Sequence, residues 1–173
     1  MLWLFTDAAR LPDPRGAVAR LPAGLCGVVL RHDADPARAI LARDLARLCR
    51  ARRNQLVVAG DGALARAVGA GQHLRGGRRL LMTPRFGALV TSSAHGVADL
   101  RRAARAGATL AFLSPAFATA SHPEAVALGP VRWSSRARQG PAGLGIAALG
   151  GIDGGTVRRL PAARGAGAIG ALV

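Results

Sequence analysis

Two serines and a histidine stand together in the segment TSSAHG, residues 91–96. An apolar run at 87–90 precedes it, and a helix-like segment at 96–108 follows. At such a strand-to-helix junction His95 is a candidate general acid or base, or a hydrogen-bond donor to phosphate. A structural histidine bonded to backbone at the start of a helix fits the spacing equally well.

Small hydroxyl groups and glycines recur where other apolar runs end. Together with a helix start, hydroxyls and exposed backbone N–H groups bind phosphate without lysine, and this chain contains no lysine. LGGIDGG (149–155) is the most glycine-rich of these segments, although simple turn glycines explain it as well. The candidate phosphate-binding residues are Ser92, Ser93, Thr119, Ser121, Gly150, Gly151 and Gly170.

The histidines and cysteines do not form a metal-binding pattern. Zinc sites use closely spaced histidines, cysteines and carboxylates, and no His-x-His or His/carboxylate spacing supports such a site at His32, His73, His95 or His122. Cys26 and Cys49 lie in apolar surroundings and are expected to be buried thiols in a reducing compartment.

The formal charge of +15 arises from 24 basic and 9 acidic residues. A basic surface can bind nucleic acid. The arginines are scattered, however, without interleaved aromatic side chains, which favours a solvated basic face. Neither a signal peptide nor an apolar run long enough to cross a bilayer is evident, so we expect a cytoplasmic protein with no membrane partner.

Eight short apolar runs indicate eight strands. They do not alternate with polar residues, which is typical of strands covered on both faces. The predicted strands are 2–5, 27–30, 55–58, 72–74, 87–90, 109–113, 145–149 and 167–173.

Helical patterns lie between these runs. The clearest spans 35–53, with Asp35 as a cap and a predicted apolar stripe through Ile40, Leu41, Leu45 and Leu48. Shorter helices are predicted at 62–71 and 96–108, and a partial one at 153–167, where Pro161 interrupts the pattern.

Alternating strands and helices predict one α/β domain over residues 1–173, and eight strands favour a closed (β/α)₈ TIM barrel. At 173 residues it would be compact, with reduced helices and no clear closing helix. Sites in such barrels lie at the carboxyl ends of the strands.

Three segments, in this order, resemble the thiamine phosphate synthase/TenI family: TSSAHG, LSPAFATASHP (113–123) and ALGGI (148–152). The resemblance extends over nearly the whole chain. It implies a barrel that is usually a homodimer. The synthase members join a pyrimidine diphosphate to a thiazole phosphate, releasing pyrophosphate and forming thiamine phosphate, with Mg²⁺ holding the diphosphate.

The resemblance also assigns residues. Arg31, expected to bind phosphate, matches the family's arginine after strand two, and Ser93 matches the serine of its S-x-H motif. Thr119 and Ser121 match the threonines of the loop after strand six, which hold the pyrophosphate together with the backbone, and His122 replaces the lysine of that loop. Asp61 is the remaining candidate metal ligand. Catalytic roles are expected for Ser93, His95 and His122. The thiazole phosphate is expected at Gly150, Gly151, Ile169 and Gly170.

Several family positions differ. Val29 and Asp33 stand where the family has glutamine and lysine, and HLRGGRR (73–79) lacks the family's metal-binding aspartate but brings Arg75, Arg78 and Arg79. These changes leave two alternatives to a synthase. One is a TenI-like thiazole phosphate tautomerase, and the other is a non-catalytic barrel that binds a phosphorylated ligand.

Overall fold

A computed structural model describes residues 1–76, 87–119, 123–160 and 162–169. Its eight parallel strands form a closed barrel in which each strand pairs with its neighbours in the sequence and the eighth pairs with the first. This confirms the predicted (β/α)₈ fold. Among the described helices, none has the length and apolar character that a membrane crossing requires.

The elements follow one another in the order expected for a barrel. The strands are β1 (Leu2–Phe5), β2 (Cys26–Leu30), β3 (Gln55–Ala59), β4 (Gly71–Leu74), β5 (Val90–Ala94), β6 (Leu110–Leu113), β7 (Gly145–Leu149) and β8 (Ala166–Ala168). The helices are α1 (Arg15–Arg20), α2 (Arg38–Ala51), α3 (Gly62–Val68), α4 (Val97–Arg105) and α5 (Gly129–Arg138), and a short 3₁₀ helix covers Val157–Arg159.

Large aromatic side chains fill the barrel interior. Phe112 stacks edge-on against Phe5 and Trp3, with ring centroids 4.7 and 5.4 Å apart. Gly27 provides the space for the Trp3 ring, because a Cβ there would lie 2.4 Å from it. Aromatic packing therefore fills the lower interior, and in this fold a ligand site is expected at the mouth.

Two apolar clusters join the outside of the barrel to its helices. One covers the outer faces of β1–β3 with α1–α3, and the other covers the outer faces of β4–β7 with α4 and α5. Leu45 and Leu100 are fully buried anchors of their helices, and Trp133 anchors α5 while its indole N–H donates to the carbonyl of Leu113 at 3.0 Å. These contacts hold the strand ends in place.

The structure corrects several local predictions. The fifth strand occupies 90–94 instead of 87–90, so the serines of TSSAHG belong to the strand itself. Helix α2 begins three residues after Asp35, whose carboxylate accepts from the Ala37 N–H at 2.8 Å. Ile40 was expected in the apolar stripe, but its side chain is exposed.

Candidate phosphate-binding site at the barrel mouth

A cavity of about 1120 Å³ opens at the carboxyl ends of the strands. The two halves of its wall differ in chemistry. The ends of β1–β4 contribute charged groups, and the ends of β5–β8 contribute hydroxyls, one imidazole and glycine backbone. The charged half contains Arg10, Arg31, Asp33 and Arg75, and the neutral half contains Ser93, His95, Ser114, Thr119, Gly150, Gly151 and Ile169.

Arg31 follows β2 and is held in place by the end of β1. Its Nε donates to the Thr6 carbonyl at 3.1 Å, and its Nη2 donates to Asp7 Oδ2 at 3.1 Å. Its guanidinium also lies 5.7 Å from the centre of the Phe5 ring. Burial lowers the pKa of Arg31, and Asp7 opposes that shift. Arg31 is therefore a positioned, partly desolvated cation facing the cavity.

His32 supports this arrangement from below. The side chain is buried, with Nδ1 2.9 Å from Thr6 Oγ1 and Nε2 3.2 Å from the Pro12 carbonyl. Because a carbonyl can only accept, Nε2 carries the proton and Nδ1 accepts from Thr6. Thr6 Oγ1 in turn accepts from the Arg31 N–H at 2.9 Å. His32 is thus a structural residue that joins β1 to β2.

Asp33 lies between two arginines. Arg38 Nη2 is 3.0 Å from Asp33 Oδ1, and Arg75 Nη2 bonds directly to Asp33 Oδ2. Arg75 remains half exposed, whereas the side chain of Arg38 is only 15% exposed. The carboxylate therefore neutralises part of the positive charge on this wall.

Ser93 links the two halves of the mouth. Its Oγ accepts from the Gly76 N–H at 2.9 Å and lies 3.5 Å from the Leu74 carbonyl. These contacts tie the end of β5 to the turn that carries Arg75. Ser93 consequently both lines the cavity and positions a neighbouring cation.

The imidazole of His95 is oriented by the loop after β6. Its Nδ1 lies 3.1 Å from the Ser114 carbonyl, which requires that Nδ1 carry a proton. Its backbone N–H donates to Asp99 Oδ2 at 2.7 Å in the first turn of α4. This geometry leaves Nε2 as the ring nitrogen for proton transfer or for a ligand.

Gly150 and Gly151 form the opposite wall at the end of β7. Both have positive φ, and a Cβ on Gly151 would lie 2.3 Å from the Ala118 carbonyl oxygen. The Phe117 N–H donates to the Gly150 carbonyl at 3.0 Å, which brings the loop after β6 against this turn. Glycine is therefore required for a close approach that also places Thr119 on the cavity wall.

The second half of LGGIDGG has a different role. Asp153 Oδ1 accepts from the N–H groups of Gly155 and Thr156, each at 2.8 Å. The backbone of Thr156, its hydroxyl and the Gly155 N–H together lower the pKa of Asp153. These amides are occupied by a carboxylate of the chain, so the cavity-lining part of the segment is Gly150 to Ile152.

A buried histidine forms part of the cavity floor. His73 Nδ1 lies 2.8 Å from Thr91 Oγ1, and its ring packs edge-on against Phe5 at 5.7 Å. Burial, reinforced by the charges of Arg31 and Arg75, lowers the pKa of His73 to about 3. The floor is therefore neutral at physiological pH.

Comparison with known protein families shows which family the chain belongs to. A family model described as thiamine monophosphate synthase matches residues 5–172. The chain belongs to the thiamine monophosphate synthase family. No curated protein matches it.

Solved structures share the fold at low sequence identity. A thiamine phosphate pyrophosphorylase from Pyrococcus furiosus is 18% identical, with a TM-score of 0.73 over 97% of this chain and 84% of that one. A thiamine phosphate pyrophosphorylase from Bacteroides thetaiotaomicron is 17% identical, with a TM-score of 0.58 over 98% and 82%. An HpcH/HpaI aldolase/citrate lyase family protein from Burkholderia cenocepacia is 15% identical, with a TM-score of 0.61 over 98% and 87%. Because these matches span different activities, they support the fold alone.

The family resemblance implies Mg²⁺, and Asp61 is the candidate ligand for it. Asp61 Oδ1 caps α3 by accepting from the Leu64 N–H at 2.9 Å, and Oδ2 lies 3.9 Å from Arg38 Nη1. Asp61 is not among the described residues that line the cavity. No group of three or more His, Cys, Asp or Glu in the described ranges is arranged to hold a metal ion. These donors do not fit a protein-held Mg²⁺.

Several predicted residues lie outside the described residues: Ser121, His122, Gly170, Arg78 and Arg79. The structure brings the other predicted residues together at one mouth, with the exception of Ser92 and Asp61. Sequence reasoning did not identify Arg10 or Arg38. The sequence held one indication for Arg38: this residue follows Asp33 and Asp35 at the start of an apolar helix. A basic side chain at that position can turn back toward the strand end.

Proposed function

We propose that this chain acts as a thiamine phosphate synthase, joining a hydroxymethylpyrimidine diphosphate to a hydroxyethylthiazole phosphate with release of pyrophosphate. The observation that carries the proposal is the division of a single cavity into a cationic half and a neutral half. A reaction between a diphosphate and a monophosphate needs both kinds of subsite within one open volume.

The cationic half suits the diphosphate. Arg31 and Arg75 present guanidinium groups, which bind phosphate oxygens through paired N–H donors. As the pyrimidine C–O bond breaks, its electron pair leaves with the diphosphate, and negative charge grows on the leaving group. Cations already held in place stabilise that charge without reorganisation.

The neutral half suits the thiazole phosphate. Gly150 and Gly151 line it with backbone, and Ile169 lines it beside them. Thr119, which the resemblance assigned to the pyrophosphate, adds a side chain with a hydroxyl to the same wall. Backbone amides in tight glycine turns are favourable phosphate ligands. Held there, the thiazole nitrogen would direct its lone pair at the pyrimidine methylene carbon, forming the C–N bond of the product as the C–O bond is lost.

The floor of the cavity supports this chemistry. Phe5, Leu149 and the neutral His73 form it, so few polar groups compete with the substrates there. A poorly hydrated floor strengthens the interaction between the arginines and the leaving group. His95 would orient a substrate through Nε2, and no proton transfer is needed for the bond exchange itself.

Mg²⁺ belongs to the family expectation, and its contribution would be to neutralise the diphosphate. Asp33 is bound to two arginines and Asp61 caps a helix, so neither carboxylate is arranged to hold the ion. A homodimer also remains a prediction from the family resemblance.

Product formation tests the proposal. Purified protein is incubated with both substrates, and thiamine phosphate is measured by fluorescence after oxidation to its thiochrome derivative. We expect product from the wild type and from Arg47→Gln, whose side chain is largely exposed on α2. We expect strong loss in Arg31→Gln. Absence of product from the wild type, with and without Mg²⁺, would refute synthase activity and leave the tautomerase and the non-catalytic binder as the remaining alternatives.

A further inference from the structure

Asp33 is the acidic side chain that lines the cavity among the described residues, and it already has two cationic partners. Its Oδ1 faces Arg38 and its Oδ2 bonds to Arg75. A carboxylate with both oxygens engaged by guanidinium groups has little capacity left for a divalent cation, which would also be repelled by the two arginines. The chemistry of this position is that of an internal counter-ion.

Arg38 occupies the space between the two strand-end carboxylates of β2 and β3. Its Nη2 contacts Asp33 and also donates to the Ala59 carbonyl, and its Nη1 lies 3.9 Å from Asp61. Its Nε is buried and has no partner among the described residues. A guanidinium therefore lies where a pair of carboxylates would otherwise be available to a metal.

Arg75 differs from Arg38 in being accessible. Its side chain is 50% exposed, lines the cavity, and shares the wall with Arg31 and Arg10. The Asp33 side chain is 41% exposed, so the Arg75–Asp33 pair is hydrated. Separating such a pair therefore costs little free energy. An incoming diphosphate can replace the carboxylate on Arg75 while Arg38 keeps Asp33 neutralised.

We propose that the cationic half of the mouth binds diphosphate directly through Arg31 and Arg75 without Mg²⁺, and that Asp33 competes with the diphosphate for Arg75. The identity of the anion rests on the proposed function, whereas the mode of binding rests on the ion pairs. If Asp33 instead held a metal ion for the diphosphate, Asp33→Asn would change the diphosphate affinity in the opposite direction. Removing a competitor strengthens diphosphate binding, and removing a metal ligand weakens it.

Calorimetric titration of the full chain with inorganic pyrophosphate tests the inference. In excess EDTA we expect measurable binding, weakened about tenfold or more by Arg75→Gln, since one or two charge-assisted hydrogen bonds are lost. Asp33→Asn should tighten binding about threefold to tenfold. Arg47→Gln, in an exposed pair with Asp44, is the matched control and should bind as the wild type does.

Three results would overturn the inference: pyrophosphate binding that requires Mg²⁺, weaker binding in Asp33→Asn, or unchanged binding in Arg75→Gln. Arg75 is half exposed, so its variant should fold even if Asp33→Asn does not. The product assay separates this test from the proposed function. Pyrophosphate binding in EDTA without thiamine phosphate formation refutes the synthase alone, and Mg²⁺-dependent binding with product formation refutes the inference alone.

Discussion

At the scale of single residues, Ser93 shows how a hydroxyl on one strand sets the position of a cation on the next. Its Oγ bonds to the N–H of Gly76, immediately after Arg75. The family resemblance gave Ser93 a catalytic role, and the structure adds a positioning contact. The same side chain can therefore affect binding directly and through the β4 turn.

We expect Ser93→Ala to weaken pyrophosphate binding about fivefold to tenfold and to lower the free energy of unfolding by about 1 kcal/mol, because the Gly76 N–H loses its partner. Titration calorimetry and urea unfolding measure the two effects. Ser135→Ala on the exposed face of α5 is the control. Wild-type affinity in Ser93→Ala would show that neither contact matters for the anion.

His73 leads to a prediction about pH. Its pKa is lowered to about 3 in the folded chain by burial and by Arg31 and Arg75, whereas in the unfolded chain it lies near 6.5. Below pH 6.5 the unfolded chain therefore binds a proton that the folded chain does not, and stability falls as the pH falls toward 3.

Between pH 6.5 and 5 the wild type should lose about 1.6 kcal/mol of unfolding free energy more than His73→Gln does. Urea unfolding of both proteins across this range measures the difference. Parallel curves for the two proteins would contradict the assignment of His73 as a buried neutral group.

At the scale of elements, the neutral half of the mouth depends on contact between the end of β7 and the loop after β6. Gly151 permits it, since its φ is +63° and the backbone of Ala118 leaves no space for a Cβ. Gly154, three residues later, has open space at the corresponding position. The two glycines form a matched pair for substitution.

Gly151→Ala should reduce thiazole phosphate affinity by about tenfold or more and destabilise the fold by about 1–3 kcal/mol, because both the conformation and the clash oppose it. Gly154→Ala should leave affinity unchanged. Calorimetry with the thiazole phosphate measures both variants. Equal affinities in the two would remove this turn from the phosphate site.

The elements also show why sequence could predict some positions and not others. β1 and β7 match the predicted runs because their residues are apolar and the central ones are buried. The predicted position of β5 was wrong because Thr91 bonds to His73 and Ser93 lies at the mouth. Hydrophobicity alone therefore does not mark VTSSA as a strand. Helices α1 and α5 lack a long apolar stripe; α5 buries only Trp133 among its described residues.

At the scale of the whole molecule, the family pattern predicted which strand ends form the site, because parallel strands place them at one mouth. It did not predict the ion pairs of Asp33, since these depend on Arg38 turning back from α2. The basic surface, the cytoplasmic location and the homodimer remain predictions. A net charge of +15 favours anionic ligands in general, so selectivity must come from the mouth itself.

The central claim is that one mouth holds two phosphorylated groups at once, in different halves. The most direct measurement is calorimetric titration of the thiazole phosphate into protein already saturated with pyrophosphate. We predict that the thiazole phosphate still binds, with an affinity within a few-fold of that for the free protein. Loss of thiazole phosphate binding in the presence of pyrophosphate would show that both anions use a single subsite, and would contradict the account.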